Sequence, residues 1–260
     1  MTVKMAGELW VPVAFATGDE LLTQALHSVS AGQRETLVFA NAHLLNLVYP
    51  REDIRGWLRG TRIIADGKGV KLGLLCITGQ RVDQVRFLDW IHDFLELAGR
   101  MNWGLFVVGG SSSVLGDAIT AVRRLHPTVS LVGTHHGYFG MGAELSSLVS
   151  EINRARPTVV LTCCGMLKDE EWLMQCRDQL DVPIVIAAAG ALDFLAGRLL
   201  EAPPFIRTLW LEWLFRMVLE PRRLAPRYAI GIPQYVMRLL RWKLRSSASR
   251  RLPREGQSIR

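Results

Sequence analysis

Apolar positions in the first 200 residues fall into two alternating patterns. One is the short run of β-branched and other apolar residues: "TLVFAN" (36–41), "TRIIA" (61–65), "WGLFVVGG" (103–110), "VSLVGT" (129–134), "TVVLTCCG" (158–165) and "VPIVIAAAG" (182–190). Runs without polar alternation are strands covered on both faces. The other is the longer amphipathic stretch. "HLLNLVYPREDIRGWLRG" (43–60) is mostly helical with a break at Pro50, and residues 85–100 put Phe87, Ile91, Phe94 and Leu95 on one side. "SSSVLGDAITAVRRLHP" (111–127) opens on serine caps and stops at a proline, the ordinary punctuation of a helix. Repeated strand–helix units predict an α/β domain, a parallel sheet with helices on both sides and right-handed crossovers.

The pattern changes near residue 200. From Ala202 to Arg245 there is no strand signal, and Pro203, Pro204, Pro221, Pro226 and Pro233 punctuate what reads as two or three helices rich in tryptophan, leucine and arginine. The chain therefore divides into an α/β domain (1–200), a basic helical appendage (201–245) and a polar, basic tail (246–260) expected to be disordered. Charge sharpens this division. From Arg207 onward there are 13 Lys and Arg against 3 acidic residues, a net +10, whereas the first 206 residues carry 18 against 21, a net −3. Such asymmetry points to an anionic surface or ligand. Trp210, Trp213 and Phe215 among Arg216, Arg222, Arg223 and Arg227 suit a bilayer interface better than nucleic acid, for which the chain shows no recognition module.

An apolar fraction of 49% and a charged fraction of 21% exclude collagenous and disordered classes. No apolar stretch reaches the roughly 20 residues of a membrane span, and no signal peptide is visible at the N-terminus. Cys76, Cys163, Cys164 and Cys176 lack zinc-site spacing and read as buried thiols of a reducing compartment, so a cytoplasmic protein is expected.

Parallel sheets bind ligands beyond the carboxyl ends of their strands. This selects Asn41, Asp66, Gly109 with Gly110, Thr134 to Gly137, Gly165 and Gly190. Asp66 follows a strand and precedes "GKG", so it is either a helix cap or the one acid on which a reaction turns. Gly109 and Gly110 either cradle a phosphate or simply form a tight turn; their spacing does not fit the dinucleotide fingerprint. The adjacent His135 and His136 cannot both face one metal from a regular element. Lys168 could meet an anion, while Asp169, Glu170 and Glu171 also fit a solvated first helical turn.

In chain order, Asn41, "ADGKGV" (65–70), Arg81-Val82, "VVGG" (107–110), "GTHHGYF" (133–139), "KDEEW" (168–172), "DFLAG" (193–197) and the block from "LEWLFR" through "EPRRL" to Tyr228 resemble the WecG/TagA/CpsF family of bacterial glycosyltransferases. The resemblance covers roughly residues 10 to 240. It implies a Rossmann-like fold with a C-terminal appendage that helps close the site at the membrane. It implies a peripheral enzyme on the inner face of the bacterial cell membrane that moves a sugar, with inversion and a β-linkage, from a UDP-sugar to a polyprenyl-diphosphate-linked saccharide of a surface polysaccharide. No metal or other cofactor is implied, and a homo-oligomer is compatible with it.

By position, Asp66 matches the family's proposed base and Asn41 its neighbouring asparagine. Arg81, Gly109, Gly110, His136, Gly137, Lys168, Glu170, Asp193, Arg216, Arg223 and Arg227 match substrate-binding positions, with the appendage arginines neutralising the leaving diphosphate in place of a metal. Gly67 and Gly69 are expected to let an acceptor sugar approach Asp66. The chain departs from the family at Phe39, at Gln84, Val85 and Arg86, at Leu167 and Asp169, at Ala187 to Ala189 and at Pro226. Most of these positions are expected where the donor sugar sits, and they allow a second reading, a catalytically weak or inactive membrane-surface partner in a polysaccharide assembly complex.

Overall fold

The computed structural model describes residues 5–8, 10–14, 16–79, 85–209 and 211–249. Its eight strands are β1 (Met5–Glu8), β2 (Pro12–Ala14), β3 (Glu35–Ala40), β4 (Arg62–Ala65), β5 (Gly104–Gly109), β6 (Ser130–His135), β7 (Val159–Cys163) and β8 (Ile184–Ala187). They form one sheet in the order β1-β2-β4-β3-β8-β7-β5-β6, in which β2 to β8 are mutually parallel and β1 pairs antiparallel with β2. This is the expected Rossmann-like α/β fold. Strands β3, β7 and β8 are buried at every position, as their unbroken apolar runs require. The edge strand β6 is covered on one face only.

Successive residues feed opposite layers. Val38, Ala40, Ile63, Phe106 and Val108 join one core and Leu37, Phe39, Ile64, Leu105 and Val107 the other, as the period of two dictates. The first core is covered by α2 (Ala42–Val48), α3 (Glu52–Leu58), α4 (Lys68–Thr78), α7 (Ala143–Ala155) and α8 (Lys168–Cys176). The second is covered by α1 (Gly18–Ser30), α5 (Phe87–Arg100), α6 (Ser112–Leu125) and α9 (Ala191–Leu195). Phe87, Ile91, Phe94 and Leu95 all point into it. The β1–β2 hairpin has no counterpart in the sequence expectation. Its strands are too short and too mixed for a periodic signal, and it is fixed by Trp10, which is buried and donates from Nε1 to the Leu45 carbonyl at 2.9 Å.

The appendage comprises α10 (Pro204–Thr208), α11 (Glu212–Leu219), α12 (Pro221–Pro226) and α13 (Ile232–Ser249). Pro226 and Pro233 do not break it. A π-helical turn, Arg227–Gly231, follows Pro226 and joins α12 to α13 without a loop. α13 continues to Ser249, past the expected start of the tail; residues 250–260 lie outside the described residues. Cys76 is exposed rather than buried, and the four thiols are free.

The appendage is anchored on the first core. Tyr235 and Leu239 of α13 are buried there. A Cβ at Gly73 of α4 would lie 2.5 Å from the Tyr235 hydroxyl and 3.0 Å from Leu239 Cδ1. Asn46 Nδ2 donates to the Gly231 carbonyl at 2.6 Å, and Arg238 donates to the Asn46 carbonyl and Oδ1 at 2.8 and 2.9 Å. Gly73→Leu should therefore push α13 off α4, with a stability loss of about 1–3 kcal/mol, read as a lowered midpoint of thermal or urea unfolding. An unchanged midpoint would mean that α13 does not seat there.

Candidate active site

Asp66 follows β4 directly. Its backbone N–H donates to the Ala40 carbonyl at 2.9 Å, tying it to the end of β3. It does not cap α4: the cap position is Gly67, at φ +91°, and no side chain bonds the free amides of that helix. A residue with a Cβ is strained at that φ, so the glycine turns the chain sharply enough to leave Asp66 at the strand end. Gly69 serves packing instead of an open approach, since a Cβ there would meet Ala42 Cβ at 3.3 Å.

The Asp66 carboxyl is half-buried, and burial pushes its pKa up to about 6. The Phe87 amide, Arg86 and Arg216 oppose this rise, and Glu212 adds to it. Asn41 caps α2, its Oδ1 accepting from the His43 and Leu44 amides at 3.0 and 3.2 Å. The same oxygen accepts from Arg227 Nη2 at 3.2 Å. Asn41 thus positions an appendage arginine across the strand ends. Arg223 is exposed and paired with Glu220. Arg216 lies over the Phe194 ring at 4.9 Å, and Asp193 is the preceding residue in the first turn of α9. Arg86 pairs with Asp89 at 2.8 Å, Glu201 at 3.4 Å and Glu212 at 3.6 Å. The structure therefore brings Asp66, Asn41, Arg216, Arg223 and Arg227 together and adds Arg86, Glu212 and His43. Sequence reasoning had Arg86 only as a departure and Glu212 only as a motif letter. Arg81 lies outside the described residues.

A second group of expected residues surrounds the gap between β5 and β7, whose outgoing connections run in opposite directions along the sheet, the place where such folds open a crevice. Gly109 and Gly110 adopt φ +148° and +63°. A Cβ at Gly109 would collide with the Cys163 backbone, and one at Gly137 would reach Gly109 Cα at 3.0 Å. Gly137 N–H donates to the Gly110 carbonyl at 2.8 Å. Close loop packing thus accounts for these glycines. His136 is exposed, its Nδ1 accepting from the Tyr138 amide at 3.3 Å, and Lys168 Nζ sits 5.4 Å from the Tyr138 ring at the rim.

The start of α8 is not a solvated first turn. Asp169 is fully buried. Its Oδ1 accepts from the Thr162 hydroxyl at 2.5 Å and the Cys164 amide at 2.9 Å, and its Oδ2 accepts from the Ala189 amide at 3.0 Å. Trp172 Nε1 donates to the same Thr162 oxygen at 3.1 Å. One carboxylate thus stitches the ends of β7 and β8. Glu170 is also buried, with its Oε2 lacking a hydrogen-bond partner among the described residues, and burial and the Asp169 charge push its pKa up to about 8. Only Glu171 faces outward, pairing with Arg51 at 2.6 Å.

Several of the departures from the family pattern are core positions, whereas Arg86 stands at the site and Leu167, Ala189 and Pro226 are not buried. Phe39 is buried against Phe87 and Trp90, with ring centroids 5.0 Å apart in each pair. Asp169, Ala187 and Ala188 are buried as well. Among the described residues no group of three or more His, Cys, Asp or Glu is placed to hold a metal ion, and no helix is long and apolar enough to cross a membrane.

A strand-end carboxyl in the field of Arg86, Arg216 and Arg227 suits a group-transfer site with an anionic leaving group. Comparison with known proteins gives that class a family. The sequence matches the model of the glycosyl transferase WecG/TagA/CpsF family over residues 8–249, and the chain belongs to that family and is a glycosyltransferase. It is similar to two proteins named N-acetylglucosaminyldiphosphoundecaprenol N-acetyl-beta-D-mannosaminyltransferase, from Staphylococcus aureus strains NCTC 8325 / PS 47 and MRSA252. Each is 24% identical over 212 residues, which cover 81% of this chain and 82% of the relative.

Asp169→Ala should leave the buried Thr162 hydroxyl and two part-buried amides without an acceptor. A loss of about 3 kcal/mol or more is expected in urea unfolding; a loss below 1 kcal/mol would refute the stitching role.

Proposed function

We propose that the protein is an inverting glycosyltransferase that moves a sugar from a UDP-sugar to a polyprenyl-diphosphate-linked saccharide, forming a β-linkage in surface-polysaccharide synthesis on the cytoplasmic face of the bacterial membrane. The observation that carries this reading is Asp66, a strand-end carboxyl with a raised pKa, facing Arg216 and Arg227 from the appendage. The acceptor hydroxyl oxygen attacks the anomeric carbon from the face opposite the diphosphate, and Asp66 takes the hydroxyl proton as that bond forms. The bond from the anomeric carbon to the phosphate oxygen breaks, and its electron pair leaves with the nucleotide. Arg216, Arg223 and Arg227 supply the positive charge that stabilises this leaving group, so the reaction is proposed to need no metal. Retention of this set, and the burial of Phe39 and Asp169 in the core, favour an enzyme over an inactive partner. The names of the similar proteins make an N-acetylmannosamine donor and an N-acetylglucosamine-diphosphate-lipid acceptor the first pair to test.

Asp66 must be ionised to act as base. The rate should therefore fall about tenfold per pH unit below pH 6 and level off above it. Asp66→Asn should lower kcat by roughly 10²- to 10⁴-fold with little change in UDP affinity. UDP release from a short-chain lipid acceptor measures both, and wild-type turnover by the variant would sink the assignment.

The outer face of the appendage supports membrane docking. Leu209, Trp213, Val218, Ile230, Val236, Leu240 and Leu244 are exposed and lie among Arg222, Arg223, Arg241 and Lys243, the mix that seats a helix at headgroup depth. Replacing Val236, Leu240 and Leu244 together by glutamate should weaken sedimentation with phosphatidylglycerol vesicles by roughly tenfold or more and leave the unfolding midpoint unchanged, because these side chains touch no core. Undiminished vesicle binding would reject this face.

A further inference from the structure

His43 has no part in the reading given so far. It stands in the first turn of α2, two residues beyond Asn41, and is half-buried. Its backbone amide and Arg227 Nη2 meet the same Asn41 oxygen, at 3.0 and 3.2 Å. That shared acceptor holds the His43 backbone beside Arg227. Among the described residues its ring has no hydrogen-bond partner. The charged groups acting on the ring are Arg227, from the π-turn, and Arg223, from α12. Asp66 acts on Arg227, and Arg238, stacked on Tyr49, occupies the far end of α2. Burial together with the two guanidinium groups lowers its pKa to about 4, so the ring is neutral near pH 7 while the site holds no anion.

A neutral imidazole with free ring nitrogens, half out of water and next to two cations, has an unmet opportunity: an anion would bond to both. We propose that His43 completes the diphosphate site, taking up a proton when a nucleotide diphosphate binds among Arg216, Arg223 and Arg227 and giving that proton to the departing phosphate oxygen. This rests on the glycosyltransferase reading above and adds to it a catalytic acid. The ligand's negative charges reverse the field that two guanidinium groups impose on the ring, so the cationic form becomes the favoured one. During transfer the bond between the anomeric carbon and the β-phosphate oxygen breaks, and its electron pair stays on that oxygen. The His43 proton moves there as Asp66 accepts the proton of the acceptor hydroxyl. One proton is given and one taken, so the step balances without any further reactant.

The test is calorimetry of UDP binding to the whole protein near pH 6, repeated in buffers of different ionisation enthalpy, for the wild type and His43→Gln. Protons that UDP itself gains or loses cancel in the comparison. The wild type should take up about half to one proton more per UDP than the variant, and His43→Gln should lower kcat by roughly 10²-fold with KM for the donor changed only a few-fold. Equal proton uptake by the two proteins would overturn the proposal. If His43→Gln fails to fold, judged by its unfolding transition, His43→Asn takes its place with the same two outcomes. Failure of the wild type to bind UDP at all would instead overturn the donor reading on which the proposal stands, so the two failures are distinguishable.

Discussion

The buried carboxylate of Asp169 is the constraint on which the crevice depends. Parallel strands end in loops, and loops that carry chemistry need a fixed origin. Here a single acid accepts from the end of β7 twice and from the end of β8 once. A carboxylate removed from water is costly unless its oxygens are satisfied, and three donors satisfy these. Burial still holds the Asp169 carboxyl above the ordinary carboxylate range. The sign of the linkage follows. The folded state binds this proton more readily than the unfolded chain, so this group's contribution to stability falls as pH rises from about 4 to about 6. The position is bought for geometry, since it is not the cheapest way to stabilise a domain.

A second constraint brings the arginines to the base. The appendage returns to the face of α2 and α4, held by Tyr235 and Leu239 in the core and by hydrogen bonds to Asn41 and Asn46. Both asparagines lie within or just before one short helix. That helix is therefore the hinge post of the molecule: its cap meets the π-turn and its middle meets α13. Two of the appendage arginines turn inward, away from the exposed apolar and basic face. Asn41 and Phe194 receive Arg227 and Arg216 on the inner side, and leucine and valine remain outside.

Much of this was legible in the sequence, and the rest was hidden for physical reasons. Strands buried on both faces announce themselves by unbroken apolar runs, which is why β3 to β5, β7 and β8 could be read directly. Asp66 could be placed at a strand end because "RIIA" precedes it and glycine follows. The orientation of α8 was not legible. Asp169 and Glu170 in a first turn look like ordinary solvated acids, and only the packing of Thr162 and Ala189 turns them inward. Phe39 looked like a change beside a sugar and is a core residue, because a strand residue's face depends on register and not on proximity in sequence to Asn41. The pairing of Arg86 with Glu212 spans 126 positions, a separation no local pattern encodes. Pro226 does mark the end of α12, but no local pattern shows that a π-turn carries the helix on into α13.

The environment of Asp66 shows why the two constraints must act together. A proposed base gains nothing from being pinned to a cation, which would lower its proton affinity and occupy its oxygens. Arg86 lies close enough to lower the Asp66 pKa, yet its own guanidinium is shared among Asp89, Glu201 and Glu212. Those three carboxylates hold the arginine aside. Glu212 comes from the appendage and raises the Asp66 pKa, while Arg216, one turn further along the same helix, lowers it. Seating α11 therefore delivers both signs at once, a cation for the proposed leaving group and an anion that keeps the proposed base basic. A base fixed on β4 and charges fixed on α11 stay in balance only if the appendage seats in one register, which is what the close fit of Tyr235 and Leu239 over Gly73 enforces.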